Sequence, residues 1–240
     1  MVFQPQNALE DVLTRAARDP LARPEFYRLL LESELVVLGR TYGDPSQMTI
    51  ATLRHNGREY LPVFSAPVRL SDFAGAGQEH FTMRGRALFE STRGANFALN
   101  PNCECGKLLT APEIAYWLDP SARARRRLKA AKVRLAVPAT PPRMLIDALR
   151  LFFANRASVR AAHLLEATPT DGAEPAHPLI GVETTDNWPR IAAEISELAA
   201  AIVPETIIDL VPIEPGAEPH SLSAQLALTP PFYARTATLN

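Results

Sequence analysis

The chain has 240 residues, 47% of them apolar and 21% charged, with a formal net charge of −1. Those proportions describe an ordinary globular protein and exclude a disordered one. The longest apolar runs fall well short of the roughly 20 residues of a membrane span. The first residues, Met1 to Asn7, have no basic stretch followed by an apolar one, so no secretory signal is read there and a cytoplasmic location is the default. The two cysteines, Cys103 and Cys105, are one residue apart and cannot staple distant parts of the chain.

Asn7 can cap a helix, with Glu10 three residues on in the capping-box position. Leu9, Val12, Leu13 and Ala16 then share one face. Asp19-Pro20 ends this helix, and Pro24 suits the first turn of a second. Glu34 to Gly39 reads as an apolar strand. Met48 to Leu53 and Glu59 to Phe64 flank His55-Asn56-Gly57, which predicts a hairpin. Pro62 within the second arm suggests an edge strand or a bulge. Helices are expected over Leu70 to Phe73 and Arg84 to Glu90. A strand is expected over Asn96 to Leu99, closed by the turn Asn100-Pro101. Ala111-Pro112-Glu113 opens a helix through Trp117.

Asp119-Pro120 interrupts the pattern, and a basic run follows. Arg123, Arg125, Arg126, Arg127, Lys129, Lys132 and Arg134 stand between Ser121 and Leu135 without an acidic residue. Residues 1–135 hold 19 basic against 14 acidic side chains, and residues 136–240 hold 6 against 12. Without those seven cations the first half is net negative, so the asymmetry comes from one segment. A domain boundary is placed here, giving domains at 1–120 and 132–240 joined by a basic connector at 121–131. The connector is rich in Ala, Arg, Lys and Leu, which also suits a short helix.

The second half reads strand, helix, strand, strand, helix, strand. The strands are expected at Val133 to Val137, Val159 to Ala167, Leu179 to Glu183 and Ile207 to Val211. The helices are expected at Met144 to Ala154 and Asn187 to Val203. This is a ferredoxin-like βαββαβ order. The fold class is therefore α+β, two domains each with a mixed sheet. The order names an architecture and not an activity. Phe232-Tyr233 is expected to pack back and tie down the tail.

No set of residues reads as catalytic or as a metal site, and no cofactor is expected. Cys103-Glu104-Cys105 lacks the second ligand pair of a structural zinc site and the Cys-x-x-Cys redox spacing, so it reads as a turn leading into a helix. Gly75-Ala76-Gly77 and Gly106-Lys107 lack the remaining glycines of phosphate-binding loops. Ser65, His55 and Asp72 form a triad only on paper, without a Gly-x-Ser-x-Gly elbow. His163 reads as a satisfied strand histidine.

Surface recognition of a protein partner is the reading that remains. The first candidate surface is the basic segment, with Arg123, Arg125, Arg126, Arg127, Lys129 and Lys132 gripping an acidic face. The second is Tyr60 to Phe64 with Tyr60 and Pro62, an edge strand for β-augmentation. Nucleic acid is disfavoured by an isoelectric point near 6.5 and by the lack of interleaved aromatic residues. An RNA-binding connector would show a steep salt dependence.

Several stretches, in order along the chain, resemble one family. Leu9-Glu10, Ala16 to Pro20, Pro24 to Tyr27 and Leu29 to Leu35 look like the N-terminal domain of SseB-type proteins, named for enhanced serine sensitivity. So do Tyr60 to Ser65, Leu99 to Pro101 and Pro112 to Ile114. The half from Val133 onward is similar to the family's C-terminal domain, with Val159-Arg160-Ala161-Ala162-His163-Leu164 and the closing Pro231-Phe232-Tyr233. The resemblance implies a cytoplasmic bacterial protein tied to a serine-sensitivity phenotype, with no agreed activity and no catalytic residues to carry over. A regulator or enzyme of serine metabolism is the alternative it raises.

Overall fold

A computed structural model describes residues 4–42, 48–119, 133–170, 175–214, 216–218 and 221–235. The chain divides into two compact units, Met1–Ala124 and Arg125–Asn240. Both are α+β.

In the first unit, Asn7 accepts a hydrogen bond from the Glu10 N–H and starts α1, Ala8–Arg18. Leu9, Val12, Leu13 and Ala16 are its buried face, as their spacing requires. A short 3-10 turn leads to α2, Arg23–Glu32, which buries Phe26, Tyr27, Leu30 and Leu31. The sheet is built on β1, Glu34–Thr41, and β4, Arg58–Phe64, which pair antiparallel. β2, Met48–Ile50, extends one end of β1, and β3, Leu53–His55, pairs with the start of β4. Asn56 at φ 50° and Gly57 at φ 76° form the two-residue turn that Asn-Gly favours.

α3, Pro67–Ala74, follows β4 directly. Next comes β5, His80–Arg84, pairing with β1 from Glu34 to Leu38. Residues 80–84 had carried no strand expectation. Polar and apolar residues alternate in this short segment, and the pattern was overshadowed by the stronger helical signal after it. α4, Gly85–Ser91, covers the core with Leu88 and Phe89. β6, Phe97–Leu99, runs parallel to β4, and β7, Lys107–Leu109, returns antiparallel to β6. α5, Ala111–Leu118, opens with a full capping box between Thr110 and Glu113. Phe26, Leu35, Val37, Val63, Phe64, Leu88, Phe97, Leu99 and Leu109 are sealed in the core.

β4 is an interior strand, which corrects the edge reading of Tyr60 to Phe64. β1 and β3 line one side and β6 the other. Pro62 fits because Leu61 N–H and Val63 C=O bond on the β6 side, at 2.9 and 2.8 Å. The missing N–H of Pro62 therefore faces the other side. There the partner changes from β3, opposite Tyr60, to β1, opposite Val63. No ladder bond is lost, and a central proline is tolerated.

The second unit has the expected order along the chain. β8, Val133–Ala136, precedes α6, Arg143–Ala154, and β9, Val159–Pro169. β10, His177–Thr184, then α7, Trp188–Ile202, and β11, Asp209–Pro212, complete the six elements. Laterally, however, the strands lie β8-β9-β10-β11, with only the last pair parallel. A ferredoxin-like sheet splits its parallel pair with an intervening strand. Here β10-α7-β11 is an unsplit crossover, so the chain order is right and the interleaving is absent. α8, Leu222–Ala227, and β12, Tyr233–Ala234, follow. β12 shares the edge of β9 with β8, lying opposite Ala161 and Ala162. Leu145, Leu149, Phe153, Val182, Ile191, Ile195 and Leu226 are the deepest core. Among the described residues no helix is long and apolar enough to cross a membrane.

Candidate functional site

The richest polar centre lies in the first unit, where α1, the β4–α3 junction and the β6–β7 loop meet. Glu10 is wholly buried on the face of α1 that also carries Leu13. Its Oε1 accepts from the Ser65 hydroxyl and from Arg69 Nε at 2.9 Å. Its Oε2 accepts from the Gln6 N–H and from an Arg69 terminal nitrogen, both at 2.8 Å. The Arg69 contact is a two-pronged charge-assisted pair. Burial pushes the Glu10 carboxyl up, but the bonds from Arg69, Ser65 and Gln6 outweigh it and hold it below the usual carboxylate range. Arg69 also lies 3.8 Å from Asp72.

Asn100 extends the centre. It adopts φ 46°, a left-handed conformation that asparagine tolerates well. Its Oδ1 accepts from the Ser65 N–H at 2.9 Å. Its Nδ2 donates to Ser65 Oγ at 2.8 Å and to Cys105 Sγ at 3.4 Å. Its own N–H donates to the Val63 carbonyl at 2.8 Å, fixing the loop to β4. The loop is tight at its far end also. A Cβ at Gly106 would stand 2.7 Å from the Asn100 carbonyl oxygen. The Cys103 and Cys105 sulfurs are 3.1 Å apart.

A second centre joins α2 to α5. The Tyr27 hydroxyl donates to Glu113 Oε1, and Lys107 Nζ lies 3.1 Å from the same oxygen. Glu113 Oε2 accepts from the Thr110 N–H at 3.0 Å, so one carboxylate serves both the helix cap and the centre. The Tyr27 ring stacks on Trp117 at 4.7 Å. Burial, then the Glu113 charge, pushes the Tyr27 phenol well above its usual range. Among the described residues, Trp117 Nε1 is buried without a hydrogen-bond partner. Tyr27→Phe is expected to cost about 1.5–3 kcal/mol, the range for a buried bond to a charged group. Urea unfolding of the two proteins at neutral pH checks it. A change under about half a kcal/mol would mean that Lys107 and Thr110 satisfy Glu113 unaided.

In the second unit, His177 is buried between the Pro175 carbonyl and Asp209 Oδ2, each 2.9 Å from a ring nitrogen. His163 Nδ1 lies 2.8 Å from the Thr229 carbonyl, the satisfied strand histidine that the sequence suggests.

The structure places the paper triad of Ser65, His55 and Asp72 in three separate settings. Ser65 turns to Glu10 and Asn100, His55 sits on the exposed hairpin beside Asn56, and Asp72 faces Arg69. The three form no triad. The Cys103–Cys105 turn leads into β7, not directly into a helix. Tyr60 and Pro62 are buried in β4, so they present no free edge to a partner. Arg123, Arg125, Arg126, Arg127, Lys129 and Lys132 lie outside the described residues.

The Glu10 centre was missed in the sequence because Asn7 and Glu10 already satisfied a capping rule. The signal was there: a carboxylate three residues before Leu13, at the border of the apolar face. In the structure the cap is only half a box. Glu10 reaches back to the Gln6 N–H, one residue beyond the cap.

The SseB protein N-terminal domain family matches residues 9–116, and the SseB protein C-terminal domain family matches residues 129–235. The chain is similar to Protein SseB of Escherichia coli strain K12, 27% identical over 96% of this chain and 93% of that protein. Protein SseB of Shigella flexneri matches to the same extent. No solved structure matches. With both of its domain families matched in order over most of its length, the chain belongs to the SseB family.

Proposed function

We propose that this chain is a non-enzymatic cytoplasmic binding protein that works by recognising a protein partner. One observation carries the reading: among the described residues, the buried carboxylates are spent on the fold. Glu10 has both oxygens doubly bonded, and Glu113 divides its own between a helix cap, Tyr27 and Lys107. His177 is held at both ring nitrogens and His163 by Thr229. A general base needs a free lone pair aimed at a substrate. Glu10, Glu113 and His177, saturated in this way, serve rigidity instead, and a rigid scaffold presents its surface.

The surface assigned to the partner is the basic segment from Arg123 to Lys132. That choice rests on the seven cations without an intervening acid between Ser121 and Leu135. A clustered positive field steers and holds an acidic protein face. The tagged chain, used as bait in its own cytoplasm with quantitative mass spectrometry, should enrich one protein near stoichiometry. The triple variant Arg125→Glu, Arg126→Glu, Arg127→Glu should lose it, weakening the isolated pair by tenfold or more at low salt. Equal binding by both proteins would sink the segment as the site. No enriched partner at all, with a thermal shift specific to serine, would favour the metabolite reading.

A further inference from the structure

Cys103 and Cys105 are the chain's only cysteines. Their sulfurs lie 3.1 Å apart, about 1 Å beyond a covalent S–S bond. This closeness is built by the backbone. Asn100 and Asn102 both take left-handed conformations, at φ 46° and 63°. The Cys103 N–H donates to the Asn100 carbonyl at 3.1 Å, and the Gly106 N–H to the Cys103 carbonyl at 2.8 Å. Two overlapping turns thus put both side chains on the same side. Asn100, itself locked to Ser65 and Val63, donates to Cys105 Sγ at 3.4 Å and holds that sulfur in place.

We propose that Cys103 and Cys105 form a redox pair, which closes to an intramolecular disulfide by exchange with a low-molecular-weight disulfide and reopens with thiols. This goes beyond the binding role and does not depend on it.

The two sulfurs have different parts. Cys103 is partly exposed and Cys105 is buried. An incoming reagent meets Cys103. Burial, then the hydrogen-bonded contact with Cys103, pushes the Cys105 thiol up to about 12, so it stays protonated until its neighbour has reacted. The Arg69 guanidinium is within electrostatic reach of both sulfurs.

The exchange balances in two steps. Cys103 gives up its proton, and its thiolate attacks one sulfur of the disulfide RSSR. The Cys103–SR bond forms, the RS–SR bond breaks, and the departing thiolate takes up a proton. Cys105 then loses its proton and its sulfur attacks Cys103 Sγ. The Cys103–Cys105 bond forms, the Cys103–SR bond breaks, and the second RS⁻ leaves as RSH. The protein is oxidised by two electrons, and one RSSR is reduced to two RSH.

The experiment incubates the full chain in mixtures of reduced and oxidised glutathione, quenches with an alkylating agent and weighs the products. Trypsin releases both cysteines on one peptide, Gly94 to Lys107. That peptide should pass from doubly alkylated to unalkylated and two hydrogens lighter, reversibly, without a persistent glutathione adduct. In Cys105→Ser the reaction should stop at a single adduct on Cys103. In Cys103→Ser it should be at least tenfold slower, because only the buried thiol remains. Wild-type protein that accumulates stable adducts, or that keeps both thiols in the most oxidising mixture, would overturn the proposal. The wild-type result decides even where a serine variant folds poorly.

Discussion

Glu10→Gln is expected to remove about 3–5 kcal/mol of stability from the first unit at pH 7, the cost of breaking a buried ion pair from one side. The substitution keeps the size and one carbonyl-like oxygen. It removes the charge that the Arg69 fork grips and turns a donor toward groups that are themselves donors. Ser65, Arg69 and the Gln6 N–H all point hydrogens at this side chain. An amide can accept from only part of that set. The loss also spreads, because Ser65 connects the carboxylate to Asn100 and so to the β6–β7 loop. Urea unfolding followed by circular dichroism measures the change. A loss under about 1 kcal/mol would mean that the centre relaxes around a neutral side chain.

The same carboxylate sets a pH window. Its pKa in the folded chain lies below the ordinary value of 4.5. Above that value the carboxylate is ionised both folded and unfolded, and its stabilisation is complete. Below it the unfolded chain takes up a proton that the folded chain does not, so stability falls as pH falls. The contribution is lost once the pH has passed through the depressed folded pKa. Wild type and Glu10→Gln should therefore differ most at neutral pH and converge in acid. A gap between the two that stays constant from pH 7 to below 4 would show that the charge on Glu10 is not what stabilises the wild type.

Local rules made much of this fold legible. Helical spacing at Leu9, Val12, Leu13 and Ala16 located α1, and Asn56-Gly57 located the β3–β4 hairpin. These signals depend only on neighbours in sequence. What escaped depended on partners far along the chain. Pro62 argues for an edge when only its missing N–H is considered. It is accommodated inside the sheet because two different strands meet opposite it. β7 is three residues long and gains its identity from pairing with β6. The lateral order of the second sheet is likewise a choice among partners for β9 and β10, which the βαββαβ order leaves open. The Glu10 centre joins residues 55 and 59 positions apart. Glu10 and Ser65 were each explicable locally, as a helix-start residue and a strand end. Only the folded chain makes them one object. The closing Phe232-Tyr233 was more readable, because two adjacent large aromatic residues have few places to go other than the core.

Phe153→Ala should cost the second unit about 3–5 kcal/mol, through lost burial and the cavity left behind. Phe153 is fully buried at the end of α6. Its ring lies 5.5 Å from Tyr233, 6.3 Å from Phe232 and 5.6 Å from Phe152. Its carbonyl accepts from the Tyr233 hydroxyl and from the Arg235 guanidinium, both at 3.1 Å. One residue thus holds β12, the last strand among the described residues, by packing and by its backbone. β12 has only two ladder residues, extended by the Phe232 and Arg235 N–H bonds to β9 at 2.8 Å. A strand that short needs side-chain packing to stay paired. The truncation should therefore speed hydrogen exchange at the Phe232 and Arg235 amides more than at Leu179 or Ile180 in β10. Tyr233→Phe keeps the ring and removes one hydrogen bond, so it should cost only about 1 kcal/mol. Equal losses from the two variants would assign the anchoring of β12 to the hydroxyl and not to the aromatic cluster. Uniform acceleration of exchange across β9, β10 and β12 in Phe153→Ala would mean that the strand opens only with the whole unit. Selective acceleration at β12 identifies it as a separable latch, closed by the packing of Phe153.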